Sequence, residues 1–241
     1  MASFPYQISS LNEYTVIVEL GDEIDELVHR RLKELATLLE RRPFPSLLEV
    51  VMAFTSLTVY YDPIVLRRLF PKMKSPAQKV VAFIEQALSQ IDQEPNVESK
   101  QIEIPVCYGG KWGEDLAEVA EYNGLTEEEV IEIHSGVEYL VYMVGFAPGF
   151  PYLGGMSQRI ATPRRTTPRL SIPAGSVGIA GSQTGIYPLA TPGGWQIIGR
   201  TPLHLFNPDR HPPSLVQAGD RIRFVPITEE AFWEWKEREL G

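Results

Sequence analysis

The apolar positions change period along the chain, and each change marks an element. Thr15–Leu20 (TVIVEL) is rich in β-branched residues and predicts a strand. From Ile24 to Leu39, the residues Ile24, Leu27, Val28, Leu32, Leu35, Leu38 and Leu39 recur at three- and four-residue steps. That is the stripe of an amphipathic helix, with Arg30, Arg31, Lys33 and Glu34 on its wet face. Pro43 and Pro45 stop it. Leu47–Phe54 and Leu57–Tyr61 predict two more strands, the second closed by Asp62-Pro63. Ser75-Pro76 reads as an N-cap and first-turn proline for a helix to about Ile91 that buries Val80, Val81, Ile84 and Leu88. Strand, helix, strand, strand, helix is the start of a split β-α-β pattern of ferredoxin-like type.

Asp92–Lys100 (DQEPNVESK) is polar, contains Pro95 and reads as a linker. The expected domains are therefore residues 1–95 and 101–241. In the second, Gln101–Cys107 predicts a strand and Asp115–Tyr122 a short helix, followed by Gly124 at a left-handed position. Thr126 and Glu129 form a capping-box pair for a helix to about His134. Short strands then alternate with glycine and proline turns: Tyr139–Gly145, Ser176–Ala180, Gly185–Pro188, Trp195–Gly199 and Arg221–Pro226. That rhythm predicts a closed or nearly closed β-barrel. Thr228–Leu240 is a closing helix with Phe232 and Trp235 as expected anchors.

Composition narrows the function. The 241 residues are 44% hydrophobic, enough for packed cores, and no apolar run approaches the length of a membrane span. MASFPYQISS lacks the pattern of a secretory signal. The single cysteine, Cys107, rules out an internal disulfide, which fits the cytoplasm. A net charge of −9 argues against non-specific nucleic-acid binding. There is no glycine-rich phosphate loop ending in Gly-Lys-Ser/Thr and no Gly-x-Ser-x-Gly elbow. His29, His134, His204 and His211 do not fall at metal-ligand spacings, so no metal is expected.

One window stands apart. Tyr139 to Pro208 contains no Asp, Glu or Lys, but holds Arg159, Arg164, Arg165, Arg169 and Arg200. An acidic chain that clears a long segment of carboxylates and supplies only guanidinium groups points to an anion site. Arg164, Arg165, Arg169 and Arg200 are the anion-binding candidates. Gln183, Thr184 and Tyr187 are candidate orienting groups, and Phe146, Phe150 and Trp195 candidate walls, with Tyr152 nearby. The alternatives are plain: Phe146, Tyr187 and Trp195 as barrel core, Arg164 and Arg165 as solvated turn residues. His134 reads as a helix C-terminal contact, and Cys107 as buried and inert.

The segments GFAPGFPYLGGM, TPRRTTPR, IPAGSVGIAGSQTGIYPLATPGGWQIIGRTP and AGDRIRFVPI, with IPVCYGGKWGEDLAEVAEYNGLTEEEVIEIH and SLTVYYDP upstream, resemble the family of the 5-oxoprolinase B subunit, PxpB. That family includes the sporulation kinase A inhibitor KipI. Its members were formerly named as the first component of allophanate hydrolase, and it is related to the carboxyltransferase subdomains C and D of urea carboxylase. The resemblance covers about the whole chain and departs from the family at Asn12-Glu13-Tyr14, where relatives carry a Gly-Asp-x-Ala-like turn. It implies a ferredoxin-like N-terminal domain and a cyclophilin-like β-barrel, an α+β architecture. It also implies two partners, the C component of 5-oxoprolinase in direct contact and the A component with it. Together they open 5-oxoproline to L-glutamate at the expense of ATP, through a phosphorylated lactam. Substrate and intermediate are anions, which suits the arginine-rich window. The competing reading is a regulator that docks on a histidine kinase through exposed aromatics such as Phe146, Phe150 or Tyr152. Peptidyl-prolyl isomerisation rests on fold analogy alone.

Overall fold

The computed structural model describes residues 5–22, 25–91 and 99–240. The sequence readings for Ile24 and for most of the linker, residues 92–98, lie outside them. The chain divides into two compact units, residues 1–98 and 99–241.

The first unit is a four-stranded antiparallel sheet with the order β1 (Gln7–Asn12), β2 (Thr15–Glu19), β4 (Ser56–Tyr61), β3 (Leu47–Met52). Strands β2 and β3 both run antiparallel to β4, and α1 (Glu26–Arg41) joins them. This is the split β-α-β arrangement. The register sets Val16 opposite Val59 and Val18 opposite Leu57. With a side-chain period of two, these residues and Tyr61 share one face, and all are buried with Leu32 and Leu35 of α1 and Val80 and Ile84 of α3 (Pro76–Leu88).

Two features differ from the sequence reading. An extra edge strand, β1, precedes β2, and the turn between them is held by the Asn12 side-chain oxygen, which accepts the Tyr14 N–H at 3.0 Å. Asp62-Pro63 does not merely close β4. Asp62 accepts the N–H groups of Ile64 and Val65 at 2.8 and 3.1 Å and caps a further helix, α2 (Pro63–Leu69), with proline in its first turn.

The second unit is a closed barrel of seven strands: β10 (Gln183–Ile186), β7 (Pro151–Gly154), β6 (Glu138–Val144), β13 (Arg221–Pro226), β5 (Gln101–Tyr108), β12 (Gln196–Arg200) and β9 (Ser176–Ala180). Closure leaves no free edge in this sheet. Val106, Tyr139, Val141, Val177, Ile179, Ile198 and Phe224 fill its core. Helices α4 (Leu116–Asn123) and α5 (Glu127–Ser135) pack against each other. Gly124, at φ 65°, ends α4, and both hydrogen bonds of the Thr126–Glu129 capping box form. A ribbon of β8 (Arg169–Ile172) and β11 (Thr191–Gly193) stands outside the barrel sheet.

Helix α6 (Glu229–Leu240) anchors through Phe232, whose ring lies 4.2 Å from that of Trp112. Trp235 is 38% exposed and does not serve as the second anchor. Neither the candidate strand at Gly185–Pro188 nor that at Trp195–Gly199 keeps its bounds. Pairing with β9 moves them to Gln183–Ile186 and Gln196–Arg200. No helix among the described residues is long and apolar enough to cross a membrane.

Candidate functional site

The aromatic residues of the glycine-rich window meet around Phe150. Its ring lies 5.1 Å from Tyr152, 5.5 Å from Phe146 and 5.7 Å from both Tyr187 and Trp195, in edge-on contacts throughout. Edge-on packing directs the positive rim of one ring at the face of the next. These five side chains, with Arg164, Pro168, Pro192, Gly193 and Gly194, line a cavity of about 340 Å³. That falls in the range of small-molecule sites.

A side chain at Gly193 would crowd this wall. A Cβ on Gly193 would sit 2.5 Å from the Tyr187 hydroxyl and 2.8 Å from Ile172 Cδ1. Elsewhere in the lining, Phe146 holds a left-handed backbone, φ 68°, and its side chain is exposed. A non-glycine residue in that conformation costs roughly 1–2 kcal/mol. The loop that imposes it is closed by hydrogen bonds from Ala147 N–H to Gly145 C=O and from Phe150 N–H to Ala147 C=O.

Arg164 is the one candidate arginine lining the cavity. It is exposed and has no acid partner among the described residues. Beside it, burial pushes the Tyr187 phenol up to about 12, against smaller opposing effects from Arg164, a Trp195 backbone hydrogen bond and Arg169. Tyr187 is therefore a neutral O–H at physiological pH. One fixed cation and one neutral donor meet in an aromatic setting, which suits a small monoanion.

The other arginines go elsewhere. Asp115, only 3% exposed, makes no cap hydrogen bond to α4. Its Oδ1 accepts from Arg169 Nη2 at 2.7 Å and Arg165 Nη1 at 2.8 Å. Its Oδ2 accepts from the Ile197 N–H at 2.6 Å and Arg169 Nη1 at 2.9 Å. Glu118 lies 3.7 Å from Arg165, and Glu114 lies 3.4 Å from Arg169. Hydrogen bonding to Asp115 raises the Arg169 pKa further. Arg200 donates from Nε to the Ala174 carbonyl at 2.8 Å, and its guanidinium carbon lies 5.8 Å from the centre of the Trp112 ring. The four guanidinium groups thus do not converge on one cavity.

Asp115, from outside the acid-free window, is the supporting residue of the candidate site that the sequence reading missed. Its effect reaches Arg164 indirectly. Arg165 N–H donates to Gly194 C=O at 2.7 Å, and Gln196 Nε2 donates to Pro163 C=O at 3.1 Å. With the Asp115 bonds, these contacts tie residues 163–169 to the start of β12 on both sides of Arg164.

Thr184 and Gln183 do not line the cavity. Gln183 opens β10 opposite Ala180. Thr184 is fully buried; its hydroxyl donates to Gly178 C=O at 3.1 Å. With that hydrogen committed, the Thr184 oxygen accepts from His134 Nε2–H at 2.8 Å, and His134 Nδ1 accepts the Tyr108 hydroxyl at 2.8 Å. This assigns the Nε2–H tautomer. His134 stands in the last turn of α5, fully buried against Phe224, and burial lowers its pKa to about 3. It is a neutral, fully satisfied core residue. No group of three or more His, Cys, Asp or Glu side chains among the described residues could hold a metal.

The family described as the carboxyltransferase domain, subdomain C and D, matches residues 6–216. The 5-oxoprolinase B subunit of Bacillus subtilis is 52% identical over 96% of this chain and 97% of its own length. That of Escherichia coli O157:H7 is 43% identical over 91% and 95%. The crystal structure of TTHA0988, 37% identical, superposes with a TM-score of 0.75 over 88% of this chain, which spans only 40% of that longer protein. With the family matched across most of its length, the chain belongs to the carboxyltransferase subdomain C and D family and is a homologue of the 5-oxoprolinase B subunit.

Proposed function

We propose that this chain is the B subunit of an ATP-dependent 5-oxoprolinase, and that its aromatic cavity receives 5-oxoproline. The observation that carries the site is Arg164, a cation without an acid partner among the described residues, in the lining of a pocket walled by Phe150, Tyr152, Tyr187 and Trp195. 5-Oxoproline is a flat lactam ring bearing one carboxylate. The carboxylate pairs with Arg164, the ring packs on the aromatic faces, and the Tyr187 O–H donates to a substrate oxygen. The 52% identity to a protein named as the B subunit, over nearly the full length of both chains, supports the assignment.

ATP supplies the phosphoryl group that activates the lactam. The cavity offers a single guanidinium, which fits a monoanion better than a triphosphate, so we assign the nucleotide to another component of the complex. The C and A components of 5-oxoprolinase are the proposed partners, the first in direct contact. That a solved relative carries the matched segment within a longer chain supports work beside further domains. In this reading the first unit is a ferredoxin-like variant, with β1 in the place of its last strand. The second is a cyclophilin-like barrel, and the complex works in the cytoplasm. The test is reconstitution with those two components. Glutamate forms from 5-oxoproline and ATP only when this chain is present; equal turnover without it rejects the assignment.

A second reading, a histidine-kinase inhibitor, draws on one observation: Phe146 is 69% exposed on a strained, hydrogen-bonded loop. Autophosphorylation that is unchanged by micromolar chain rejects that reading.

A further inference from the structure

Residues 63–84 form another stretch without Asp or Glu, and it carries Arg67, Arg68, Lys72, Lys74 and Lys79. None of these five has an acid partner among the described residues, although the chain as a whole carries a charge of −9. Lys79 lies over two aromatic rings, 4.7 Å from the centre of Phe70 and 4.8 Å from that of Phe83. It borders a cleft of about 340 Å³ lined by Phe70, Pro71, Lys72, Met73 and Lys79. On the adjoining α2, Ile64 is 62% exposed and Leu69 is 53% exposed. The surface is therefore an apolar floor edged by cations.

The start of α3 adds to the positive field. Its first turn contains no acid, Lys74 precedes the Ser75 cap, and Lys79 follows just inside. Cations at the positive end of a helix dipole disfavour the free protein, and a bound carboxylate relieves them. A site that only gathered counter-charge would have no use for a cleft floored by Phe70, Pro71 and Met73.

We propose that this face of the first unit docks an acidic segment of a separate protein, one that carries leucine or aromatic anchors between its carboxylates. Charge complementarity sets the approach, and anchors seated over Phe70 and Met73 set the affinity. Nucleic acid would satisfy the cations but leave the apolar floor of Phe70, Pro71 and Met73 uncovered.

The experiment uses the full chain and a short fluorescein-labelled peptide that alternates Glu with Leu and contains one Trp, followed by anisotropy. Saturable binding is expected. The double variant Lys72→Glu/Lys79→Glu weakens it by at least about tenfold, added salt weakens it, and replacing Leu and Trp of the peptide with Ser abolishes it. The milder Lys72→Gln/Lys79→Gln pair gives a smaller loss in the same direction, with melting temperatures measured for both variants. Peptide binding unaffected by either variant overturns the proposal. So does tighter binding of a DNA duplex or of anionic vesicles. Self-association in sedimentation that the double variant abolishes would give the surface to a second copy and would also overturn it.

Discussion

Arg169 grips Asp115 with both terminal nitrogens, Nη1 to Oδ2 at 2.9 Å and Nη2 to Oδ1 at 2.7 Å. The Asp115 carboxylate is almost fully buried and also holds Arg165 and the Ile197 N–H. Removing one member of a buried ionic cluster leaves the rest uncompensated. Asp115→Ala is expected to cost about 3 kcal/mol, a fall of roughly 6–12 °C in Tm. Arg169→Ala costs less, because Arg165 and the Ile197 N–H remain. Thermal unfolding of both variants checks the order.

His134 supplies a pH dependence with a definite sign. Its folded pKa is near 3 and its ordinary value 6.5, so below about pH 6.5 the unfolded chain binds a proton that the native state refuses. Stability from this residue is fully present above that pH. It is lost as pH falls towards 3, by about 1.4 kcal/mol per pH unit. Denaturant unfolding between pH 7 and pH 4 should show a shallower pH slope for His134→Gln than for the native chain.

Gly193→Ala places a methyl group where the Tyr187 hydroxyl and Ile172 already stand. Tyr187 must shift, and the cavity changes shape. In the reconstituted enzyme we expect KM for 5-oxoproline to rise several-fold. Overpacking should also reduce stability by about 1–3 kcal/mol, measured by chemical denaturation.

Phe146→Gly relieves a left-handed backbone while removing an exposed ring. Stability is expected to hold or rise by up to about 1 kcal/mol, while activity or partner binding falls. A variant that lost stability instead would assign the ring to packing.

Much of the fold was legible because local signals and tertiary structure agree. The stripe of α1 from Val28 to Leu39 (though not Leu27, which is exposed), the Thr126–Glu129 box, Gly124 and strands β9 and β13 form where periodicity and capping place them. Asp62-Pro63 misled because the same dipeptide can end a strand or start a helix, and here it does both. Trp235 misled because α6 is anchored by Trp112, a residue far away in sequence.

The candidate site was half legible. The clustering of aromatics and glycines in one window does mark a cavity, and Arg164 does line it. The fate of Arg165 and Arg169 was not readable, since Asp115 is 50 and 54 residues away in sequence and meets them through tertiary contacts alone. An acid-free stretch of sequence does not guarantee an acid-free neighbourhood in space.

Arg164 is the proposed carboxylate anchor, and its role is read from the KM for 5-oxoproline of the reconstituted enzyme carrying Arg164→Ala. Loss of a charge-assisted hydrogen bond, about 1.5–3 kcal/mol, predicts a rise of roughly 10- to 150-fold, with Tm unchanged and partial recovery in Arg164→Lys. An unaltered KM in an enzyme that still requires this chain would contradict it and move the substrate to another site.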